Sequence, residues 1–581
     1  MRKIFFAGIV LCVAQTVVAA TDDSLGLGPA LVGAAADSDC GFNSIQAAIN
    51  AGHDEIRVAN NTAYDENILI QNQSLDIKGG YVNCFAADSD IRTDTITTSI
   101  TSTVADAIIT IDNDGGNYLI NLSQLYINNG IQGMFSEAAG VVVSGADTQL
   151  NMERSRISEH DGRGLTAIGV ASIHLSDIYL GDNTVIGGNG GGIMCDSSNI
   201  VVSGASVIRN NNAVVNTRGA GSSGQGGGVY ATQSCSFTFY SGPPHINSGS
   251  GGILNNSANQ GGAIFATLGS TIELLGTEVD VNGQVLGDAE FPVNLWLNTA
   301  DEDGGAIYLI GGDTLLTGSG IDVRQNEVGN NGGAIYSGTG ATTVITRMPG
   351  ACWDNNKCNY FFRNASGLTD KAGGAIYVFD GTLAVGNAWF EENKADFSSA
   401  IHLLDAIGTI EGSVFYQNRP ITNFDANETI NASFSSDLTV AFSTFADNNP
   451  AESTLKITTG SNLTLVGSIL YDLFDLALTT QSANTITSYC LYVNDSTNIT
   501  GSQIIESSND PFVDLANQDI HLADASLTDV CDTSVYTPSL NDFDNQPRGY
   551  DAPISDLDGR YDIGADEDYS SDVIFADDFD G

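Results

Sequence analysis

One short phrase constrains this chain more than any other feature. It stands complete as Gly304-Gly305-Ala306-Ile307-Tyr308, as Gly332-Gly333-Ala334-Ile335-Tyr336 and as Gly373-Gly374-Ala375-Ile376-Tyr377. Variants are Gly191-Gly192-Ile193, Gly227-Gly228-Val229-Tyr230, Gly251-Gly252-Ile253 and Gly261-Gly262-Ala263-Ile264-Phe265, and Ser399-Ala400-Ile401 is a worn copy. A second phrase alternates with the first, an apolar or aromatic residue followed three later by Asn. Its copies are Phe390 to Asn393, Phe415 to Asn418 and Phe445 to Asn448, with looser ones from Val207 to Asn210 and from Val323 to Asn326. Self-similarity at a few tens of residues is the signature of a solenoid. Paired glycines open backbone conformations closed to other residues, and the Ala-Ile-Tyr that follows suits one short strand with an inward face. Asn suits the turn, since its amide bonds neighbouring backbone; stacked on successive coils, such residues would form a ladder.

These phrases resemble the GGAI and FxxN repeats of the polymorphic outer membrane proteins, within the wider pectin-lyase-like group of right-handed parallel β-helices. The clearest copies span residues 190–450. The resemblance implies an all-β fold, a single right-handed parallel β-helix solenoid over residues 38–566, and a bacterial, surface-associated protein. It says little about activity, because function lives in sites grafted on a fold.

Arg2 and Lys3, an apolar run from Ile4 to Val18, and Ala19-Ala20 read as a secretory signal peptide, residues 1–20. A retained anchor is the alternative, but the run is shorter than the roughly 20 residues a spanning helix needs. Removing Arg2 and Lys3 takes the basic residues from 20 to 18 against 70 acidic ones, a formal charge of −52. That charge disfavours nucleic acid, anionic membrane and polyanionic sugar as partners. No later segment reads as transmembrane, and the expected state is a monomer.

Setting Cys12 aside leaves eight cysteines, an even count that in an exported chain favours disulfides. Sequence neighbours suggest Cys40 with Cys84, Cys195 with Cys235, Cys352 with Cys358, and Cys490 with Cys531, although eight cysteines allow many connectivities. The short loop from Cys352 to Cys358 makes the safest pair. Zinc is the alternative, but no CxxC spacing or nearby His supports it.

Ser44 to Ala51 reads as a short amphipathic helix with Ile45, Ala48 and Ile49 on one side, able to cover the open first coil. With coils of 20 to 29 residues and strands ~4.8 Å apart, the rod should be on the order of 100 Å long. At the other end, Asp544-Asn545-Gln546-Pro547-Arg548 and Asp562-Ile563-Gly564-Ala565-Asp566-Glu567 resemble the D-x-x-G-x-P-R and DIGA-x-E ending of exported β-helix proteins, including the choice-of-anchor group. Gln546 departs from the usual glycine. Residues 567–581 form an acidic tail that reads equally as a sorting signal or as an unstructured end. Nothing after Asn448 supplies the ~10-residue alternating strands of a membrane barrel.

The resemblance to pectin-lyase-like enzymes raises a polysaccharide lyase or hydrolase, yet RxK is absent and the single Gly-His, Gly52-His53, falls in the cap. His160-Asp161-Gly162-Arg163, with His174 nearby, is the most catalytic-looking cluster, and a strand continuing past Arg154 and Arg156 would bring His160 to their face. A surface turn is the blander reading, and His245, His402 and His521 read as packing or surface residues. Asp112-Asn113-Asp114-Gly115, Asp301-Glu302-Asp303-Gly304 and Asp556-Leu557-Asp558-Gly559 with Asp562 are oxygen-rich turns that could hold structural calcium, without the closing Glu of an EF-hand. Trp296, Trp353 and Trp389 read as packing residues rather than sugar platforms. The sequence therefore points to a secreted or surface-displayed, non-catalytic binding or structural rod of the adhesin kind. Its expected partners are glycans or cell-surface molecules, with no catalytic residue, cofactor or metal site assigned. A polysaccharide-active enzyme sited in the insertions Asn212 to Gly226 or Gly276 to Asp303 is the alternative.

Overall fold

The computed structural model describes residues 28–566, except 94–96, 133–136, 171, 216–223, 243–250, 277–290, 348–357, 422–426, 451, 473–475, 524–526, 533–535, 539–540, 544–546 and 550–560. The leader, Cys352, Trp353, His245, the acidic turn at Asp556 and the tail 567–581 lie outside the described residues.

The chain coils into a parallel β-helix. Each coil sends one strand to a 14-stranded sheet and two to a 30-stranded sheet that bends around the rod; several central coils add a strand to a short 5-stranded sheet. One coil shows the plan: Ile307–Ile310, then Leu315–Ser319 and Ile321–Arg324, then Glu327–Val328.

The repeated phrase builds the 14-stranded sheet in strict register, Ile264 on Ile307, Ile307 on Ile335, Ile335 on Ile376 and Ile376 on Ile401. All five are fully buried in the central core. Each glycine of the pair has its own reason. The first sits in the left-handed region, with φ +67 at Gly304, +70 at Gly332 and +69 at Gly373, where a side chain is strained. The second lets coils approach: a Cβ on Gly305, Gly333 or Gly374 would stand 2.1–2.2 Å from the carbonyl oxygen of the next coil. Gly251-Gly252-Ile253 is a false member. Its strand, Gly252–Leu254, lies in the 30-stranded sheet between Val207–Arg209 and Val293–Trp296.

The second phrase builds the ladder. Asn183, Asn211, Asn256, Asn298, Asn326, Asn364, Asn393, Asn418 and Asn448 stack on successive coils, each Nδ2 donating to the Oδ1 of the next at 2.8–3.1 Å. Asp472 closes the row by accepting from Asn448 at 3.2 Å. Phe361, Phe390, Phe415 and Phe445 stack inside, ring centroids 4.5–4.8 Å apart. The Val207 copy is out of register by one residue. Ile208 is the inward residue and Asn211 the rung, while Asn210 takes the left-handed turn before it at φ +55.

The helix Ile45–Asn50 caps the first coils, with Ile45, Ala48 and Ile49 buried. Ser44 accepts from the Ala47 amide at 3.1 Å. The Glu66 carboxylate takes the Ile45 and Gln46 amides at 2.8 and 3.1 Å, an anion where the helix end is positive.

The rod is shorter than coil length alone implies. The 30-stranded sheet runs from Ala30–Val32 to Gly501–Glu506, and sixteen steps of ~4.8 Å make about 77 Å, at the low end of the expectation. The shortfall arises because insertions lengthen coils without adding rungs: Ile264 and its partner Ile307 are 43 positions apart.

Three disulfides join the expected neighbours: Cys40–Cys84, Cys195–Cys235 and Cys490–Cys531. Cys358 is also disulfide-bonded.

The solenoid ends at the strand Gly501–Glu506, and the described residues beyond it run back along the outside of earlier coils. Gln518 donates to Glu391 at 2.9 Å, Tyr536 to Glu411 at 2.7 Å, and Arg347 to the Phe543 carbonyl at 2.8 Å. This strap covers a second apolar cluster that includes Trp389, Phe442, Phe543, Tyr561 and Ile563. The DIGA segment is its latch. Gly564 and Ala565 donate to Gly467 O and Thr444 Oγ1, and Arg548 donates back to the Ala565 carbonyl while lying 5.0 Å over Phe442.

Candidate functional site

The cluster singled out in the sequence does not converge. Arg156 lies between the rings of Tyr126 and Tyr179 on the neighbouring coils, 4.9 and 4.4 Å from their centroids, and pairs with Glu159. Arg154 pairs with Glu153 at the surface. The strand stops at Ser158, the left-handed Glu159 (φ +65) turns the chain, and His160 is carried into the interior. There it occupies the ladder position one coil before Asn183: Nδ1 accepts from the Gly130 amide at 2.9 Å, and its own amide donates to Asn183 Oδ1. Burial pushes the imidazole down to about 4. Arg163 is buried and paired with Glu137, Asp161 is exposed, and His174 bonds Ser203.

The two described oxygen-rich turns, at Asp112 and Asp303, are engaged by the protein itself. Asp112 accepts from Ser144 and Gln71. Asp303 accepts from Asn331, and burial raises its carboxyl. Among the described residues, the three-residue metal-ligand geometry found is Asp37, Cys40 and Cys84, whose two sulfurs are already joined. Trp389 is buried, and Trp296 lies under Arg324 at 5.4 Å.

A different site stands out on the outer face of the 14-stranded sheet. The residue after each inward Ile or Val points outward, and successive coils place Tyr230, Phe265, Tyr308, Tyr336, Tyr377 and His402 in one row. Their rings stack at 4.7–5.4 Å and within 15° of parallel. The faces are spent on each other, so the row stiffens the sheet rather than offering a platform to a sugar. Burial, and then the nearby Asp303, pushes the Tyr308 phenol up to about 12; burial does the same at Tyr377, again with Asp303 acting after it.

The row changes character where the repeat wears out. Ser398 replaces the first glycine and keeps its left-handed backbone at φ +53. Its hydroxyl meets His402 Nδ1 at 2.9 Å and donates to Glu428 Oε1 at 3.1 Å. Asn431 follows His402 in register, and Lys456 follows Asn431. Glu428 is wholly buried, which pushes its carboxyl up to about 7, and burial pushes His402 down to about 4. Among the described residues, a carboxyl pushed up toward neutrality beside a neutral imidazole is found on no other coil. Sequence reading passed over Glu428, Ser398 and Asn431, and it placed His402 among isolated histidines. The available signal was the break itself, Ser-Ser-Ala-Ile-His where Gly-Gly-Ala-Ile-Tyr is the rule.

Compared with family models, curated proteins and solved structures, the chain matches none. Among the described residues, no helix is long and apolar enough to cross a membrane.

Proposed function

We propose that this chain is an exported, surface-associated β-helix with repeats of the polymorphic outer membrane protein type. In this reading it works outside the cell as a non-catalytic binding or structural rod of the adhesin kind, and its ligands are glycans or cell-surface molecules. The observation that carries the reading is where polar chemistry is spent. The Asn row, the buried His160 and the sandwiched Arg156 all make coil-to-coil bonds, so they serve a stiff scaffold. A strongly negative net charge keeps such a rod dispersed and leaves recognition to the loops between strands.

A second reading, a polysaccharide lyase or hydrolase, has one observation in its favour: Glu428 and His402 joined through Ser398, a carboxyl held near neutral pH as a general acid requires. One experiment separates the two. The purified protein is incubated with uronate-containing and neutral glycans, with and without calcium, and binding, unsaturated products and reducing ends are followed. Binding without product is expected. Turnover lost in Glu428→Gln or His402→Ala would establish the enzyme instead.

A further inference from the structure

Beyond the worn repeat, the outer row sets an amide beside an amine. Asn431 and Lys456 are direct register partners on adjacent parallel strands, so their side chains leave the same face about 4.8 Å apart. Glu428 completes the group. Its Oε1 accepts from Asn431 Nδ2 at 2.5 Å. Its Oε2 and the Oδ1 of Asn431 are both buried with no hydrogen-bond partner among the described residues. One proton resolves both deficits. On Oε2, it lets the neutral acid donate to the amide oxygen while Oε1 accepts from the amide nitrogen, a two-point pairing of carboxylic acid and carboxamide. Burial of Glu428 favours that protonated form. The Lys456 side chain is mostly covered, 15% exposed, and its amine is held by Glu452 at 2.5 Å.

An acid that holds and polarises a carbonyl, an amine on the neighbouring coil and a carboxylate on that amine are the parts needed for amide exchange. We propose that Lys456 and Asn431 form an intramolecular isopeptide bond that ties two successive coils together. Glu452 takes a proton from the ammonium, and the freed Nζ adds to Cγ of Asn431 while Glu428 holds the oxygen. The adduct collapses by breaking the Cγ–Nδ2 bond. Nδ2 takes up the proton shed by Nζ, through Glu428, and leaves as ammonia. Amine plus primary amide gives secondary amide plus ammonia, so the step needs no oxidant or other reactant.

The bland alternative, a polar patch that merely ends the aromatic stack, accounts for the protonated acid but not for an amine set opposite the amide that the acid holds. The inference is independent of any glycan activity. It is tested on the purified full chain, unfolded and with its disulfides reduced, by intact mass and by tandem mass spectrometry of a digest. The expected result is a mass one ammonia below that of the chain, with a branched peptide joining the segments that carry Asn431 and Lys456. Lys456→Arg keeps the charge and its partner Glu452, and should restore the full mass, as should Glu428→Ala. An unshifted mass in the parent would overturn the proposal. So would a deficit that survives in Lys456→Arg, since that would mark a cyclised side chain elsewhere.

Discussion

His160 offers a sharp test, because it stands in for an asparagine. Its Nδ1 takes the Gly130 amide just as each Asn Oδ1 takes the amide of the coil before it. A protonated ring cannot accept that bond, and burial depresses the imidazole from 6.5 to about 4. The unfolded chain therefore binds a proton below pH 6.5 that the folded chain refuses until about pH 4. Stability carried by this group is complete above the unfolded value and is lost as pH falls through the window. By linkage the loss reaches about 3 kcal/mol at pH 4. His160→Asn keeps the acceptor, removes the titration and lengthens the row by one rung. Urea unfolding of parent and variant, followed by far-ultraviolet circular dichroism at pH 7 and pH 4, reads the effect directly. His402 shifts in the same sense and Glu428 in the opposite one, but both are common to the two proteins and cancel in the comparison. The variant should lose about 3 kcal/mol less than the parent on acidification. Equal losses would refute the idea that His160 is a buried neutral rung.

Three further outcomes follow from the packing. Ile335→Asp would put an unpaired charge into the core between Ile307 and Ile376, costing several kcal/mol; a thermal melt like the parent's would contradict the register. Replacing Cys195 and Cys235 by serine opens a cross-link of sequence separation 40, which in the chain-entropy picture costs about 4 kcal/mol. The melting point of that variant should no longer respond to reductant at this bond. Leu297 holds a left-handed turn at φ +58 with its side chain 49% exposed, a strain of about 1–2 kcal/mol for a non-glycine residue. Leu297→Asn should raise the melting point.

What could be read beforehand was what repeats. The glycine pair encodes two steric demands, a left-handed turn and a close coil contact, and the same demands recur coil after coil. The Asn row and the helix over Ile45, Ala48 and Ile49 were legible for the same reason, as local patterns with one physical solution each. The slip at Val207 shows the limit. With Asn210 and Asn211 adjacent, spacing alone cannot say which one enters the ladder, and the left-handed backbone at Asn210 decides it. Insertions hid the rod's length because they add residues but no rungs. The acid-and-amide group lay in the failure of the pattern, where Glu428, Asn431 and Lys456 replace ring and glycine positions; deviations from local rules tend to mark sites. Of the strap, only the Cys490–Cys531 tie was legible; its docking onto earlier coils was not, since contacts such as Tyr416 to Leu515 and Arg347 to Phe543 span 99 and 196 positions and carry no period.

That strap bears on the order in which the molecule is made. Coil-on-coil contacts link residues a few tens of positions apart, so winding can begin before the whole chain is present, each coil templating the next. Trp389 and Phe442 do not share that advantage, for their cover includes Phe543 and Tyr561, residues that come more than a hundred positions later. Until those residues arrive, the wound coils display a greasy flank, attractive to chaperones and proteases and to other unfinished chains. Fastening the latch at Ala565 hides it, so that a chain cut short before this point would bear the mark of its own incompleteness.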